Sequence, residues 1–574
     1  MTLNTPAIAD EPEPSAPRSA DAAQKQEETN ARIAGATGIL ALGNIASRVL
    51  GLAREMVLTF LFGASSVVDA FQVATVVIRA IYDLLIGGHV NGAFVPVLTE
   101  IVTVQGREAL WRVLNILISV VLTLMTGLVI VVYMFAPQIV SITASGADEQ
   151  TLALAASLLR FTAPALVFLG LFAIFSASLY ALRRFTLPAF AGVVFNGSIA
   201  LLTLALTPPL QIQSELFSYP MRFEAILRPF SVARPESGIA AVAVGWFVGA
   251  LLQMGMQLLG LRGARLRLTL RWRHPALRAI ALLYAPVMLS LILDTLVARP
   301  YSYNLASRTG EGSIAYMNWA TTLIQFPQGL VATAISVAIL PTLAGQAANL
   351  TDTLERAFKD TLGLGMRLTI TLILPAAAGL MVLAVPIIQL LFQHGAFTAA
   401  DTAVTSTALR LYLIGLPFAA VDLLIVYAFY ARKDTLTPTM VGLLSLVIYM
   451  ITADALLPRF GLYSLMIADS VKHIVHALIS TAILRQRLGG FGDQRLLSTT
   501  ARAGAAALVM ALVARALLPL LYQHIGTGNL AAEAVFVIIS GSASLATFLG
   551  MAYLLRIHEI RWLSRLVKNR LGWR

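Results

Sequence analysis

Cysteine is absent from this chain, so disulfides and thiolate metal sites are excluded. Charge is scarce. Only 12% of the residues are Asp, Glu, Lys or Arg, about half of the roughly 25% usual in a soluble domain. The seven histidines include no H-x-x-x-H pair flanked by a carboxylate. The i, i+3 pair His473 and His476 is the nearest approach to a ligand pair, and a structural role for it is the favoured reading. No phosphate-binding glycine loop and no nucleophile triad is present, so an enzyme is not expected, nor a cofactor. Residues 1–30 lack the basic and apolar regions of a signal peptide. Polar, acidic and rich in Pro and Ala, they read as a disordered cytoplasmic tail.

Apolar sequence fills the space that charge leaves. Hydrophobic residues make up 58% of the 574, and the mean hydropathy is +0.80. Segments of about 20 or more apolar residues, enough to span a bilayer, fall near 34–62, 69–99, 110–136, 151–181, 188–208, 238–261, 277–306, 314–345, 362–393, 402–431, 437–457, 462–484, 499–522 and 530–556. The expected fold is therefore an all-α polytopic membrane protein of about fourteen helices. The formal charge of +12 lies mainly between these segments, where it reports topology rather than nucleic-acid binding.

Basic residues concentrate in the even-numbered gaps: "ALRRF" (181–185), "LRGARLRLTLRWRHPALR" (261–278), "ARKDT" (431–435), "LRQRLGGFGDQR" (484–495) and the final stretch 557–574. That bias predicts two cytoplasmic termini in an inner-membrane protein. Gap 209–237 departs from it with Arg222, Arg228 and Arg234, and reads as a small outside insertion. In 557–574, Ile560, Leu563, Val567 and Leu571 share a helical stripe among five basic residues. This suits either a helix on an anionic lipid surface or a simple topology signal.

An internal repeat is visible. "YALRRFTLP" (180–188) leaves the fourth span and "YARKDTLTP" (430–438) the tenth; "AFVPVL" (93–98) ends the second and "AILPTL" (338–343) the eighth. Both pairs stand six spans apart. An even number of spans per unit implies two like-oriented six-helix lobes, with the last two helices outside the repeat and a substrate path between the lobes. The expected organisation is 31–208 with 238–261 as the first lobe, 262–276 as a basic linker, 277–486 as the second lobe, 495–556 as the last two spans and 557–574 as the amphipathic end.

Ionisable residues within spans are functional candidates because they are costly there. Arg48 and Arg54 lie in the first span and Arg79 in the second. Arg54 is roughly 12 Å from the outer end of its span at 1.5 Å per residue, with Arg48 and Arg79 deeper. Three guanidiniums on one cavity would bind phosphate through paired hydrogen bonds. The competing reading is ion pairing, of Arg54 with Glu55 or Asp69 and of Arg79 with Asp83. The second lobe is acidic instead, with Asp294, Asp422, Asp454 and Asp469. These could bind Na⁺ or carry a proton, or pair structurally, as Asp469 with Lys472.

The stretches "SRVLGLARE" (47–55), "FGASSVVDAF" (62–71), "GAFVPVL" (92–98), "RRFTLPAFAGVVFN" (183–196), "ILPTLA" (339–344), "LFQHGAFTAAD" (391–401) and "FYARKDTLTP" (429–438) resemble the MurJ (MviN) lipid II flippases of the MOP exporter superfamily. The resemblance implies fourteen spans and a cationic cavity between two lobes. It implies outward movement of a polyprenyl-diphosphate-linked peptidoglycan precursor by alternating access, for wall synthesis. It further implies substrate-binding roles for Ser47, Arg48, Arg54 and Asp69, with Arg79 a turn from a family arginine position. Asp294 and Asp454 fall on spans where some members bind sodium, so Na⁺, proton or membrane-potential coupling is expected. The expected partners are lipid II and anionic lipids, with the chain acting as a monomer. The chain departs from the family at Tyr82, Asp83 and Gly87, where charges of the other sign or of larger reach are usual, and at Thr321–Thr322. A flippase for another polyprenyl-linked glycan, a cation-coupled small-molecule exporter and a non-transporting scaffold of a wall-synthesis complex are the alternatives.

Overall fold

The computed structural model of the chain describes residues 18–85, 88–207, 238–264, 266–269, 274–278, 280, 293–347, 352–491, 494–525, 529–562 and 564. Helices form because an apolar run in a bilayer must satisfy its own backbone, and a single helix does so within the segment. The first lobe contains α1 (Arg18–Phe62), α2 (Ser66–Leu85), α3 (Gly88–Gln105), α4 (Arg107–Met134), α5 (Ala136–Thr143), α6 (Glu149–Thr162), α7 (Ala165–Ala181), α8 (Thr186–Leu206) and α9 (Ile239–Gly260). A π-helical turn (Leu293–Ala298) leads into the second lobe. There follow α10 (Arg299–Ser307), α11 (Ser313–Pro327), a π-helical segment (Gln328–Thr333) and α12 (Ala334–Ala347). The lobe is completed by α13 (Asp352–Val382), α14 (Ala384–Phe392), α15 (Ala399–Ala431), α16 (Leu436–Phe460) and α17 (Tyr463–Arg487). The last two helices, α18 (Leu496–His524) and α19 (Leu530–Leu554), pack on each other and on α13 and α14.

The fold is all-helical and polytopic, as the hydropathy pattern predicts. Among the described residues, ten helices are long and apolar enough to cross a membrane, or eleven if α6 and α7, bent by 43°, form one span. The first two helices stand apart through Arg48, Arg54 and Glu55 in α1 and Asp69, Arg79 and Asp83 in α2. Residues 279 and 281–292 of the seventh segment lie outside the described residues, as do the insertion 209–237, positions 265 and 270–273 of the linker 262–276 and the end of the chain beyond 564.

One expectation is corrected. Helix α1 begins at Arg18, so 18–30 is helical where the composition suggested a disordered tail; 1–17 lies outside the described residues. The stretch "RSADAAQKQEETN" consists largely of Ala, Gln, Glu and Lys, which favour helix. Extending a helix already nucleated in the first span needs no new nucleus.

The repeat is visible in backbone geometry. After α7 the Arg183 N–H donates to Tyr180 O at 2.9 Å and Arg184 N–H to Leu179 O at 2.8 Å. After α15, Lys433 donates to Tyr430 O at 2.9 Å and Asp434 to Phe429 O at 3.0 Å. Arg183 and Lys433 share a left-handed φ of 59°. A basic side chain there also suits the negative end of the helix. Pro96 in α3 and Pro341 in α12 occupy the second matched pair.

Loops at 63–65, 144–148, 308–312 and 393–398 lie on one rim of the bundle, the odd rim; those at 182–185, 432–435 and 488–491 lie on the other, the even rim. Two helices starting at the odd rim have polar side-chain caps: Asp148 accepts from Thr151 N–H at 2.7 Å, and Thr398 and Asp401 form a reciprocal capping box on α15.

Candidate functional site

The lobes meet along a seam that begins at the odd rim. Asp69, buried near the start of α2, accepts through Oδ1 the Ala315 N–H at 2.9 Å. Ser66 N–H, at the start of α2, donates to Glu311 Oε1 at 2.9 Å. Helices α2 and α11 thus receive a carboxylate at their positive ends, each from the opposite lobe. Ala396 N–H donates to Phe60 O at 2.9 Å. Asn304 Nδ2 donates to Ile142 O at 2.7 Å, and Gly146 N–H to Ser307 Oγ at 3.0 Å. The fit requires a glycine at the cap of α11. Gly312 has φ 75°, and a Cβ there would lie 2.7 Å from Ala64 O.

Deeper along α1 the seam becomes ionic. Glu55 is 4% exposed. One carboxylate oxygen pairs with Arg54 Nη2, and the other accepts the Trp319 Nε1–H of α11 at 3.1 Å. Arg54 Nη1 donates to Asn196 Oδ1 at 3.0 Å, and Asn196 Nδ2 donates to Gly192 O at 3.0 Å and Ser47 O at 3.3 Å. Helix α8 therefore holds Arg54 from one side while Glu55 ties it to the second lobe.

Arg48 lies six residues earlier in α1 and reaches the second lobe directly. Its Nη1 donates to Gln325 O at 3.0 Å, where α11 passes through Pro327 into the π-helical segment. A turn of that kind loosens the regular ladder and often marks a functional position. The guanidinium fills the space over Gly329, where a Cβ would lie 2.5 Å from Nη2. Among the described residues Arg48 has a carbonyl partner and no carboxylate. Arg79 lies in α2 with its guanidinium 5.1 Å from the centre of the Trp246 ring, and Arg54 and Glu55 are its charged neighbours.

The three arginines are thus brought into one region, and Ser47 joins them through its backbone carbonyl. Of the two pairings weighed, Arg54 takes Glu55, whereas Asp83 pairs with Arg299 of the opposite lobe at 2.9 Å. Asp69 is placed at the rim, committed to capping α11. Asp454 lies near the odd rim and accepts the Tyr301 hydroxyl at 2.7 Å. The Asp294 backbone belongs to the π-helical turn, and its side chain lies outside the described residues. Glu55, Asn196, Trp319 and Gln325 were missed as site residues. Only the adjacency of Glu55 to Arg54 signalled any of them. Among the described residues no three His, Asp or Glu side chains are placed to hold a metal ion.

A separate cavity of about 450 Å³ lies at the even rim, between α13 and the last two helices. Arg367, Arg495, Arg502, Arg556 and His558 line it with Asp360 and Glu559. Arg367 is tied to Glu559 at 2.8 Å and to Gln494 O at 2.8 Å.

The family model described as "Lipid II flippase MurJ" matches residues 58–536. A "Lipid II flippase MurJ" of Burkholderia cenocepacia is 28% identical over 456 residues, covering 77% of this chain and 81% of its own. A "Probable lipid II flippase MurJ" of Haemophilus influenzae is 30% identical over 454 residues, with coverage of 75% and 82%. One from Bdellovibrio bacteriovorus is 28% identical over 540 residues, with coverage of 92% and 95%. In fold, the chain is similar to a solved "Lipid II flippase MurJ, inward closed conformation", with TM-score 0.68 and 23% identity over 90% of this chain and 99% of that one. It is also similar to an inward-facing multidrug resistance MATE family transporter of the MOP superfamily, with TM-score 0.61 and 15% identity over 77% and 95%.

Proposed function

Because the chain belongs to the MurJ lipid II flippase family, we propose that it moves lipid II across the inner membrane by alternating access between its two lobes. The observation that carries this reading is Arg48. It is a guanidinium at the lobe seam, bonded to a backbone carbonyl and with no carboxylate partner among the described residues. Its charge is available to a diphosphate, which its planar fork fits through two hydrogen bonds. Arg79 adds a second charge faced by an aromatic ring, and Arg54 a third, already half-neutralised by Glu55.

The basic even rim supports an orientation with both termini in the cytoplasm. The odd rim then faces outward, and the seam through Asp69 and Glu311 closes the outer side. Substrate enters from the even rim, its diphosphate displaces the Gln325 carbonyl from Arg48, and the seam opens as that link is lost. Asp69 acts here as a gate residue rather than a ligand. Compared with the family pattern, the site is redrawn at Asp83, which is paired with Arg299. The basic residues after α19 suit anionic lipid at the inner surface.

Complementation tests the reading. A bacterial host depleted of its lipid II flippase is supplied with this chain or with Arg48→Ala. Rescue by the first and not the second is expected. Failure of the membrane-inserted wild-type chain to rescue contradicts lipid II as the substrate.

A further inference from the structure

The second lobe holds a set of ionisable side chains that the arginine site does not use. On α17, Asp469, Lys472, His473, His476 and Ser480 fall on one helical stripe. It faces α15 and α16, against which α17 packs. Lys472 Nζ donates to Asp469 Oδ1 at 2.6 Å and stands 5.5 Å from the Tyr449 ring centre. His473 Nε2 is 3.6 Å from Asp469 Oδ2. His476 Nδ1 is 2.7 Å from Oδ1 of Asp422 on α15 and 3.4 Å from Ser480 Oγ. Toward the odd rim, Tyr449 shares a 2.7 Å hydrogen bond with Ser302, and Tyr301 donates to Asp454 at 2.7 Å. Polar side chains therefore run from Asp454 near the rim to His476, about 20 Å down α17 from its first residue at 1.5 Å per residue.

Two features set the Asp422–His476 pair apart from a structural ion pair. Asp422 Oδ1 is buried beside the imidazole yet out of line for a hydrogen bond, and it has no other partner among the described residues. The partner is also a histidine, whose imidazole can take up and release a proton at a ring nitrogen, where an arginine would stay charged. The groups facing the pair are Lys472, His473 and Asp469 on its own helix, Tyr430 on α15 beside Asp422, and the Gly442 backbone on α16. Tyr412 of α15, Tyr449 of α16 and Tyr303 of α10 surround the upper end near Asp469.

We infer that Asp422 and His476 form a proton-exchange site, joined to the odd rim through His473, Asp469 and Lys472, and that lipid movement by this chain is coupled to protons. The coupling rests on the flippase reading; the exchange site does not. In the step, a hydronium ion at the odd rim gives up one proton and becomes water, each relay group releases one proton as it takes one, and an N–H bond forms on His476, giving an imidazolium beside the Asp422 carboxylate. That N–H bond later breaks and the proton bonds to water at the even rim, which becomes hydronium, so that the relay groups and the pair return to their starting state. Helix α15 packs on both α17 and α11, and α11 carries the Ala315, Trp319 and Gln325 contacts to the first lobe. Charging the pair thus acts on the element that closes the seam.

The test uses the full chain in proteoliposomes containing lipid II, with a pH difference, a K⁺ diffusion potential or a Na⁺ gradient imposed separately. His476→Gln and Asp422→Asn are compared with wild type. Two readouts are taken: the fraction of lipid II on the odd-rim side, and the distance between spin labels on cysteines introduced at Ala147 and Thr309. With the odd-rim side one pH unit more acid, the wild-type lipid ratio is expected to rise up to about tenfold per coupled proton. The wild-type label distance is expected to shift with pH. Both variants are expected to equilibrate lipid II but to lose both responses to pH. A wild-type ratio indifferent to the pH difference, or variants that respond as wild type does, overturns the coupling. Lipid II that stays put in every arm, with pH-dependent distances in wild type alone, overturns the flippase reading and supports the exchange site. Distances that ignore pH in all three proteins overturn the exchange site.

Discussion

Oδ1 of Asp69 accepts the backbone N–H of Ala315 at 2.9 Å, so one lobe caps a helix of the other. Glu311 returns the arrangement at Ser66. Losing such a cap costs about 0.5–2 kcal/mol, comparable to the bias that sets a conformational equilibrium. Asp69→Ala is therefore expected to loosen the odd rim. Because the native chain has no cysteine, a single cysteine at Thr309 reports this cleanly. Its labelling by an impermeant maleimide should rise by roughly 5–30-fold, the factor that one or two kcal/mol supplies. Unchanged labelling would show that the capping pair does not hold the seam.

Gly329 faces the Arg48 guanidinium without room for a methyl group. Gly329→Ala is expected to push Arg48 off Gln325 O while leaving the fold intact. Lipid II affinity should fall toward that of Arg48→Ala, with a melting temperature near wild type. Arg48→Lys should not restore affinity, because an ammonium cannot present the guanidinium fork. Binding measured in detergent with purified lipid II decides both points.

The Trp319 indole donates to Glu55 across the lobes. Trp319→Phe removes that donor and leaves a buried carboxylate oxygen short of a partner, at a cost of about 1–3 kcal/mol. Thermal unfolding should show the loss. Glu55→Gln in the Trp319→Phe background should cost less than the sum of the two single changes, because both act on one bond.

Much of the fold was legible in the sequence because bilayers impose long apolar runs, and because the matched turns at Tyr180–Pro188 and Tyr430–Pro438 repeat the same backbone. Partners were harder to read, because i, i+4 spacing describes one helix and the seam is built between helices. Asp83 lies four residues from Arg79 yet pairs with Arg299, 216 residues away. Trp319 looked like an apolar residue of the eighth span, and nothing in its neighbourhood announced a carboxylate from the first. The helix over 18–30 was missed because polarity was read as disorder, although those residues favour helix once a membrane span starts it.

At the even rim, burial alone would raise the Asp434 carboxyl. Hydrogen bonds from Thr437 and the Arg487 guanidinium outweigh it and hold the group below its usual range. A depressed carboxylate contributes stability above its unfolded value, and the contribution disappears as pH falls through the folded value. Between neutrality and about pH 4, near the ordinary Asp value, the contribution should persist; below that it should fade. Asp434→Asn should lower the melting temperature slightly at neutral pH and converge with wild type in acid. A constant difference across that range would contradict the assignment.

The most direct test of the central claim is the initial rate of lipid II translocation in proteoliposomes. Wild type, Arg48→Ala and Arg54→Ala are compared at equal protein content. Movement of lipid II by the wild-type chain, lost in Arg48→Ala and reduced in Arg54→Ala, is the predicted result. Wild-type movement that survives Arg48→Ala undiminished would contradict a site built on that guanidinium.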